Sequence, residues 1–199
     1  MLLGCLVSFG YGQSDSLDPF VFINEANELT STDSEKALDL AEQALALSLN
    51  TQNERAEAYC YNTFGSIHYG LSKYDLAIEN FTKSLSFFER LEEERGIYLT
   101  LKYLGQVYEA NGNNPKSIEY WEKFQEKATD LGKENDVSEA KDALGRLYFN
   151  EGKYDLALSI FETQKLKAEL AGNDEAHAAA CNGIGMVFDV QNDSASAFT

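Results

Sequence analysis

Four glycines stand 40 residues apart, at Gly65, Gly105, Gly145 and Gly185, each inside the same short pattern. The stretches read Tyr61-x-x-Phe64-Gly65-x-x-His68, Leu101-x-x-Leu104-Gly105-x-x-Tyr108, Lys141-x-x-Leu144-Gly145-x-x-Tyr148 and Cys181-x-x-Ile184-Gly185-x-x-Phe188. A fixed period of this length means that one supersecondary unit is stacked on copies of itself. Each copy then touches only its neighbours, and the array presents a long surface suited to binding rather than catalysis.

Charge narrows the range of partners. The 199 residues hold 33 acids against 16 bases, a formal net charge of −17. Such a chain repels phosphate backbones and anionic lipid surfaces, which argues against nucleic acid as a partner. The excess also keeps an elongated surface soluble. Only two prolines are present, and the abundance of Ala, Leu, Glu and Lys favours helix. Three cysteines make no even disulfide framework. Cys60 and Cys181 lie three repeats apart, too far to bridge in a stack, and read as buried free thiols.

The opening stretch MLLGCLVSFGYGQ carries no charged residue and differs in kind from the rest of the chain. It resembles the end of a secretory signal peptide without its basic start. Leu2-Leu3-Gly4-Cys5 only loosely resembles a lipoprotein box, because almost no apolar segment precedes Cys5. Residues 1–13 are therefore expected to be a signal remnant, and the remainder an exported protein on the periplasmic or extracytoplasmic face of a bacterial membrane. No later segment approaches the roughly 20 apolar residues that span a bilayer.

Each glycine-bearing stretch has helical periodicity, and a second helical segment comes after a short turn. Gly112 and Gly152 can take φ > 0 to end the first helix. Pro115 suits the first turn of the next, where its missing N–H costs nothing. Asp75 and Asp155 place negative charge where the helix dipole favours it.

In register, these residues resemble the tetratricopeptide repeat, whose pattern runs W-x2-L-G-x2-Y and then A-x3-F. Gly65, Ala77 and Phe81 fill it, as do Gly145, Ala157 and Phe161; the family's frequent proline after the second helix is absent. The resemblance covers residues 34–199 and implies an all-α fold. That fold would be a right-handed superhelical solenoid of antiparallel helix hairpins, with about four to five repeats. The expected division is a degenerate first repeat at 14–50, repeats at 55–93, 95–133 and 135–172, and a truncated last repeat at 174–199.

The 40-residue period exceeds the usual value of about 34, as in a longer variant of the family found in signalling receptors and regulators. Leu91–Gly96 and Leu170–Asp174 are read as links between hairpins. Ser34 to Ala44 is in phase with the helix around Ala77. Its partner, Asp18 to Leu29, has Glu25 where glycine is expected, as a capping repeat would. After Phe188 a turn is expected near Asn192, with a second helix scarcely begun at Thr199, so the chain reads as part of a longer protein.

Catalytic and metal constellations are not found. His68 takes the slot of Tyr108, Tyr148 and Phe188 and reads as a packing residue. His177 has no second ligand at metal-binding spacing. Glu92 to Glu94 form a solvated helix end, and Gly183-x-Gly185 lacks the third glycine and the preceding strand of a dinucleotide fingerprint. Asn80-Phe81-Thr82 is a chance sequon, because Phe81 belongs to the core pattern. Cofactors are expected to be none.

The family resemblance implies that the first helix of each hairpin lines a concave groove. Helical spacing then assigns to that groove Tyr59, Asn62, Ser66 and Tyr69; Leu99, Lys102, Gln106 and Glu109; Glu139, Asp142, Arg146 and Phe149; and Ala179, Asn182, Met186 and Asp189. As an ordinary solvated face, the same stripe would pair Asp142 with Arg146 at i, i+4. As a groove it suits an extended peptide, with Asn62 and Asn182 meeting its backbone and Tyr69 and Phe149 its apolar groups. Glu139 and Asp142 stand where a clamp for a C-terminal carboxylate would need positive groups.

The expected function is a non-catalytic module that binds protein or peptide. It would form the N-terminal sensory or scaffold region of a larger exported signalling protein such as a histidine kinase. Contact with the membrane would come only through a segment beyond Thr199. The alternative is a free-standing scaffold or adaptor for envelope partners.

Overall fold

The computed structural model describes residues 18–196; the signal-like stretch 1–13, with Cys5, and residues 14–17 and 197–199 lie outside them. The described residues form helices and no strand: α1 Pro19–Leu29, α2 Ser34–Asn50, α3 Glu54–Gly70, α4 Tyr74–Arg90, α5 Glu94–Ala110, α6 Asn114–Asp130, α7 Glu134–Asn150, α8 Tyr154–Ala171 and α9 Asp174–Ser196. Consecutive helices pack on each other throughout. No helix among the described residues is long and apolar enough to cross a membrane.

The 40-residue period is two 20-residue beats. From α2 to α7 each helix has 17 residues, and three residues then reverse the chain. The middle one is left-handed each time: Gln52, Ser72, Glu92, Gly112, Gly132 and Gly152, with φ between 52 and 75°; Gly172, which directly follows the 18-residue α8, is left-handed too, at 64°. That conformation lets the next N–H reach back to an orphan carbonyl of the helix end. Lys73 N donates to His68 O at 2.9 Å, and Lys153 N to Tyr148 O at 2.8 Å. In every third turn an asparagine comes next and caps the following helix. Asn53, Asn113 and Asn173 accept from the backbone N–H groups of Ala56, Lys116 and Ala176 at 3.0, 3.2 and 3.1 Å.

The core is a row of aromatic side chains pressed on bare backbone. A Cβ at Gly65, Gly105 or Gly145 would stand 2.6, 3.0 or 2.6 Å from the rings of Phe81, Trp121 or Phe161, each on the second helix of the same hairpin. Phe88 presses in the same way on Gly96, across the junction between hairpins. Buried Phe81, Trp121, Phe124, Leu104, Leu144 and Leu147 continue the core from α4 to α7. Ile23, Ala41, Phe64 and Ile67 fill the first hairpins.

Several expectations change. Gly96 is not part of a link but lies inside α5, because Glu93 already ends the turn. The turn between α1 and α2 is one residue longer than the three-residue turns, so aligning the ends of α1 and α3 puts Asn24, not Glu25, opposite Gly65. No glycine is needed there, because Ala41 stands where Phe81 stands in the next hairpin. The turn expected near Asn192 is absent, and α9 runs on as helix to Ser196. A Cβ at Gly185 would meet none of the described residues within 4 Å, and Phe188 is exposed rather than packed. Cys60 is buried as expected, whereas Cys181 is only half-buried.

Candidate functional site

The odd-numbered helices lie on the inside of the curve. α1 touches α3, α3 touches α5 and α7 touches α9, while the even-numbered helices make no comparable contact with one another. The predicted stripe runs along these inner helices, and its residues gather around three clefts.

The N-terminal cleft, about 740 Å³, lies among α1, α3 and α5 and holds Tyr59, Asn62, Ser66, Tyr69 and Leu99. Its walls are more aromatic than the stripe alone suggested, with Phe20 and Tyr103 added. Tyr59 is wedged edge-on between Phe20 and Phe88, at centroid distances of 5.6 and 4.8 Å. The Arg55 guanidinium lies 5.5 Å from both the Phe20 and Tyr59 rings, while Nε donates to Glu93 at 2.8 Å. That hydrogen bond holds the Glu93 carboxyl below the usual carboxylate range. Arg95 adds a second cation to the wall.

A second cleft, about 640 Å³, opens between α5, α7, α8 and α9 and takes in Gln106, Glu109, Glu139, Asp142, Arg146 and Ala179. A third, about 510 Å³, joins it through Glu109, Arg146 and Ala179 and adds Phe149, Asn182 and Met186. Asp189 is exposed and lines none of the three. Lys102 also lies outside them, because its ammonium is held 2.7 Å from Glu139.

Several predicted groove groups are thus engaged between helices. Lys102 and Arg146 bridge α5 and α7 in opposite senses, to Glu139 and Glu109 at 2.7 and 3.5 Å. Arg146 therefore turns to the neighbouring repeat and not to Asp142 on its own helix. Asn62 donates Nδ2 to Thr100 Oγ1 at 2.9 Å, leaving its carbonyl oxygen for other use. Asn182 is exposed, with only Met186 Sδ near its amide, at 3.9 Å. His68 is half-buried, and burial lowers its pKa. Asn80 is 3.4 Å from its ring, so the structure gives it packing surroundings. Among the described residues no group of His, Cys, Asp and Glu is placed to hold a metal ion.

The inner helices, the glycine–ring contacts and the repeated turns decide the architecture. It is a tetratricopeptide-like solenoid. Residues 58–89, which span most of the α3/α4 hairpin, match the Tetratricopeptide repeat family. No curated protein sequence matches the chain significantly. Among solved structures, a variant of a Podosopora anserina kinesin-light-chain-type protein with nearly identical TPR-like repeats is 14% identical, at a TM-score of 0.73. The alignment covers 89% of this chain and 88% of that one. Another structure of those repeats is 15% identical at a TM-score of 0.67, covering 88% and 95%. Aspartyl phosphate phosphatase F from Bacillus subtilis is 16% identical at a TM-score of 0.71, with 92% of this chain aligned. The chain spans about half of that protein, 51% of its length.

Groups on the second helix of a hairpin also reach the solenoid's inner face, and the stripe did not include them. Gln164 and Lys167 of α8 and Trp121 of α6 line the second cleft. Gln164 was legible in register, because it is the one amide in a series whose counterparts are Ala44, Ser84 and Phe124.

Proposed function

We propose that the chain is a non-catalytic protein- or peptide-binding module, forming the N-terminal sensory or scaffold region of a larger exported or membrane-anchored signalling protein. Repeats of this kind generally bind proteins or peptides. The observation that carries the reading is the pair of large inner clefts, one aromatic and cationic and the other acidic. Together they offer an extended chain apolar area and hydrogen-bonding groups along the array.

Export is supported by the uncharged apolar opening of the sequence, and a place in a longer signalling chain by two likenesses. One is the long repeat itself. The other is the aspartyl phosphate phosphatase, in which a fold of this shape occupies about half of a larger chain. An output region such as a histidine kinase, beyond a membrane segment, fits that arrangement.

Two experiments test the reading. Lys102→Glu and Arg146→Glu reverse charge on the inner face and should change which proteins are captured from an envelope extract. An unchanged set would refute the groove. The reading frame beyond Thr199 separates the two architectures. An apolar run of about 20 residues supports the anchored receptor, and a stop after one further helix supports a free-standing scaffold.

A further inference from the structure

Two side chains that line the acidic cleft each carry a buried polar atom without a partner among the described residues. Gln164 is 9% exposed and donates Nε2 to Asp142 Oδ1 at 2.9 Å and to Ser138 O at 3.3 Å, yet its Oε1 accepts nothing from the described residues. Trp121 is 3% exposed, and its indole Nε1–H has no acceptor among the described residues. Buried polar atoms in native proteins are nearly always satisfied, so an orphan on a side chain that lines an open cleft points to an absent group.

The charges around these atoms define that group. The cleft is lined by the carboxylates of Glu109, Glu134, Glu139 and Asp142 against the cations of Arg146 and Lys167. Arg146 is taken by Glu109, Lys167 by Glu134, and Glu139 by Lys102 from outside the cleft. Asp142 has no cation among the described residues, and the amide of Gln164 is its hydrogen-bond donor. The uncompensated pair is therefore one carboxylate beside one buried amide oxygen, both acceptors.

We propose that this cleft is a subsite for a Lys or Arg side chain of a bound peptide. The cation donates to Gln164 Oε1 and Asp142, and a peptide carbonyl accepts from Trp121 Nε1. The inference rests on the peptide-binding reading above and adds the chemistry of one residue of the partner. An anionic side chain would leave Gln164 unsatisfied and face Asp142 at close range. A purely apolar one would bury both orphans without a partner.

The chain's single tryptophan makes the test direct. Isotope-labelled protein is titrated with acetylated, amidated Gly/Ser pentapeptides carrying Arg, Lys, Glu or Leu at the centre, while the indole N–H resonance is followed. The Arg and Lys peptides should shift it saturably, and the Glu and Leu peptides should not. Asp142→Asn, on the exposed rim, and Gln164→Leu should each weaken the Arg peptide by about tenfold, the loss expected for one hydrogen bond to a charged group. Asn62→Ala, in the other cleft, should leave it unchanged. No shift with Arg or Lys, or undiminished binding by the folded Asp142→Asn protein, overturns the proposal. Selection from a mixed-sequence peptide library then separates this failure from a wider one. Peptides that perturb only Tyr59, Asn62 and their neighbours would leave the module reading standing, and no selected peptide at all would defeat both.

Discussion

The ring of Phe81 lies against the bare backbone of Gly65, so that a Cβ at this glycine would stand 2.6 Å from Cδ1 of the ring. Phe81 is fully buried and has no room to retreat, being stacked at 5.1 Å on Tyr103 of the next hairpin. The same motif position at Gly185 meets none of the described residues within 4 Å. Gly65→Ala should therefore destabilise by about 1–2 kcal/mol, overpacking outweighing the better helix propensity of alanine. Gly185→Ala should stabilise by about 0.5–1 kcal/mol, since only the propensity gain remains. Urea unfolding of the two variants checks the pair, and a change of the same sign in both would refute the ring-contact account.

Ser72 and Glu92 adopt φ of 57 and 52° in turns where Gly112 and Gly152 adopt 75 and 70°. A left-handed residue with a side chain costs about 1–2 kcal/mol, partly offset by the entropy that glycine loses on folding. Ser72→Gly and Glu92→Gly should each raise stability by about 0.5–1 kcal/mol, and Gly152→Ala should lower it. Thermal unfolding midpoints measure all three.

The glycine–aromatic pairs were legible in the sequence because both partners belong to one hairpin with a fixed 16-residue offset, Gly65 to Phe81 and Gly145 to Phe161. The 20-residue beat of the turns was not, because Gln52, Ser72 and Glu92 hide it: nothing in those side chains announces a left-handed backbone. The extra residue between α1 and α2 was equally silent, and it moved the glycine slot from Glu25 to Asn24. Helical spacing draws the inner stripe as a line on single helices. It carries no information on what crosses between repeats, and so it missed the pairing of Arg146 with Glu109 and the amide that Gln164 sends from α8.

Burial, and after it the 2.5 Å hydrogen bond that the phenol donates to Glu122, holds the Tyr148 hydroxyl protonated up to about 12. Burial and Asp136 raise Tyr98 in the same direction. The unfolded chain gives up these protons near the ordinary 10.0 while the folded one keeps them. Their contribution is therefore whole below pH 10.0 and is lost as pH rises towards about 12. Tyr148→Phe should cost about 0.5–1.5 kcal/mol at neutral pH and make the alkaline loss of stability shallower. Denaturant unfolding across the alkaline range measures both effects, and an unaltered slope would contradict the assignment.

Cys60 is fully buried, and desolvation pushes its thiol up to about 11, although Ser48 lies 3.8 Å from the sulfur. Cys181 is half-buried near the surface of α9. Iodoacetamide should modify Cys181 in the native protein and reach Cys60 only as the solenoid unfolds. Mass spectrometry of timed samples distinguishes the two, and equal rates would show that the α2–α3 junction is open.

The central claim is that partners bind the face made by the odd-numbered helices. A photo-crosslinking amino acid placed singly at Tyr69, Phe149 or Leu156 tests it directly. Tyr69 and Phe149 belong to the inner clefts, and Leu156 is an exposed residue of α8 that lines none of them. Irradiation in an envelope extract should trap the same partner from Tyr69 and Phe149 and nothing from Leu156. A partner trapped from Leu156 alone would contradict the account.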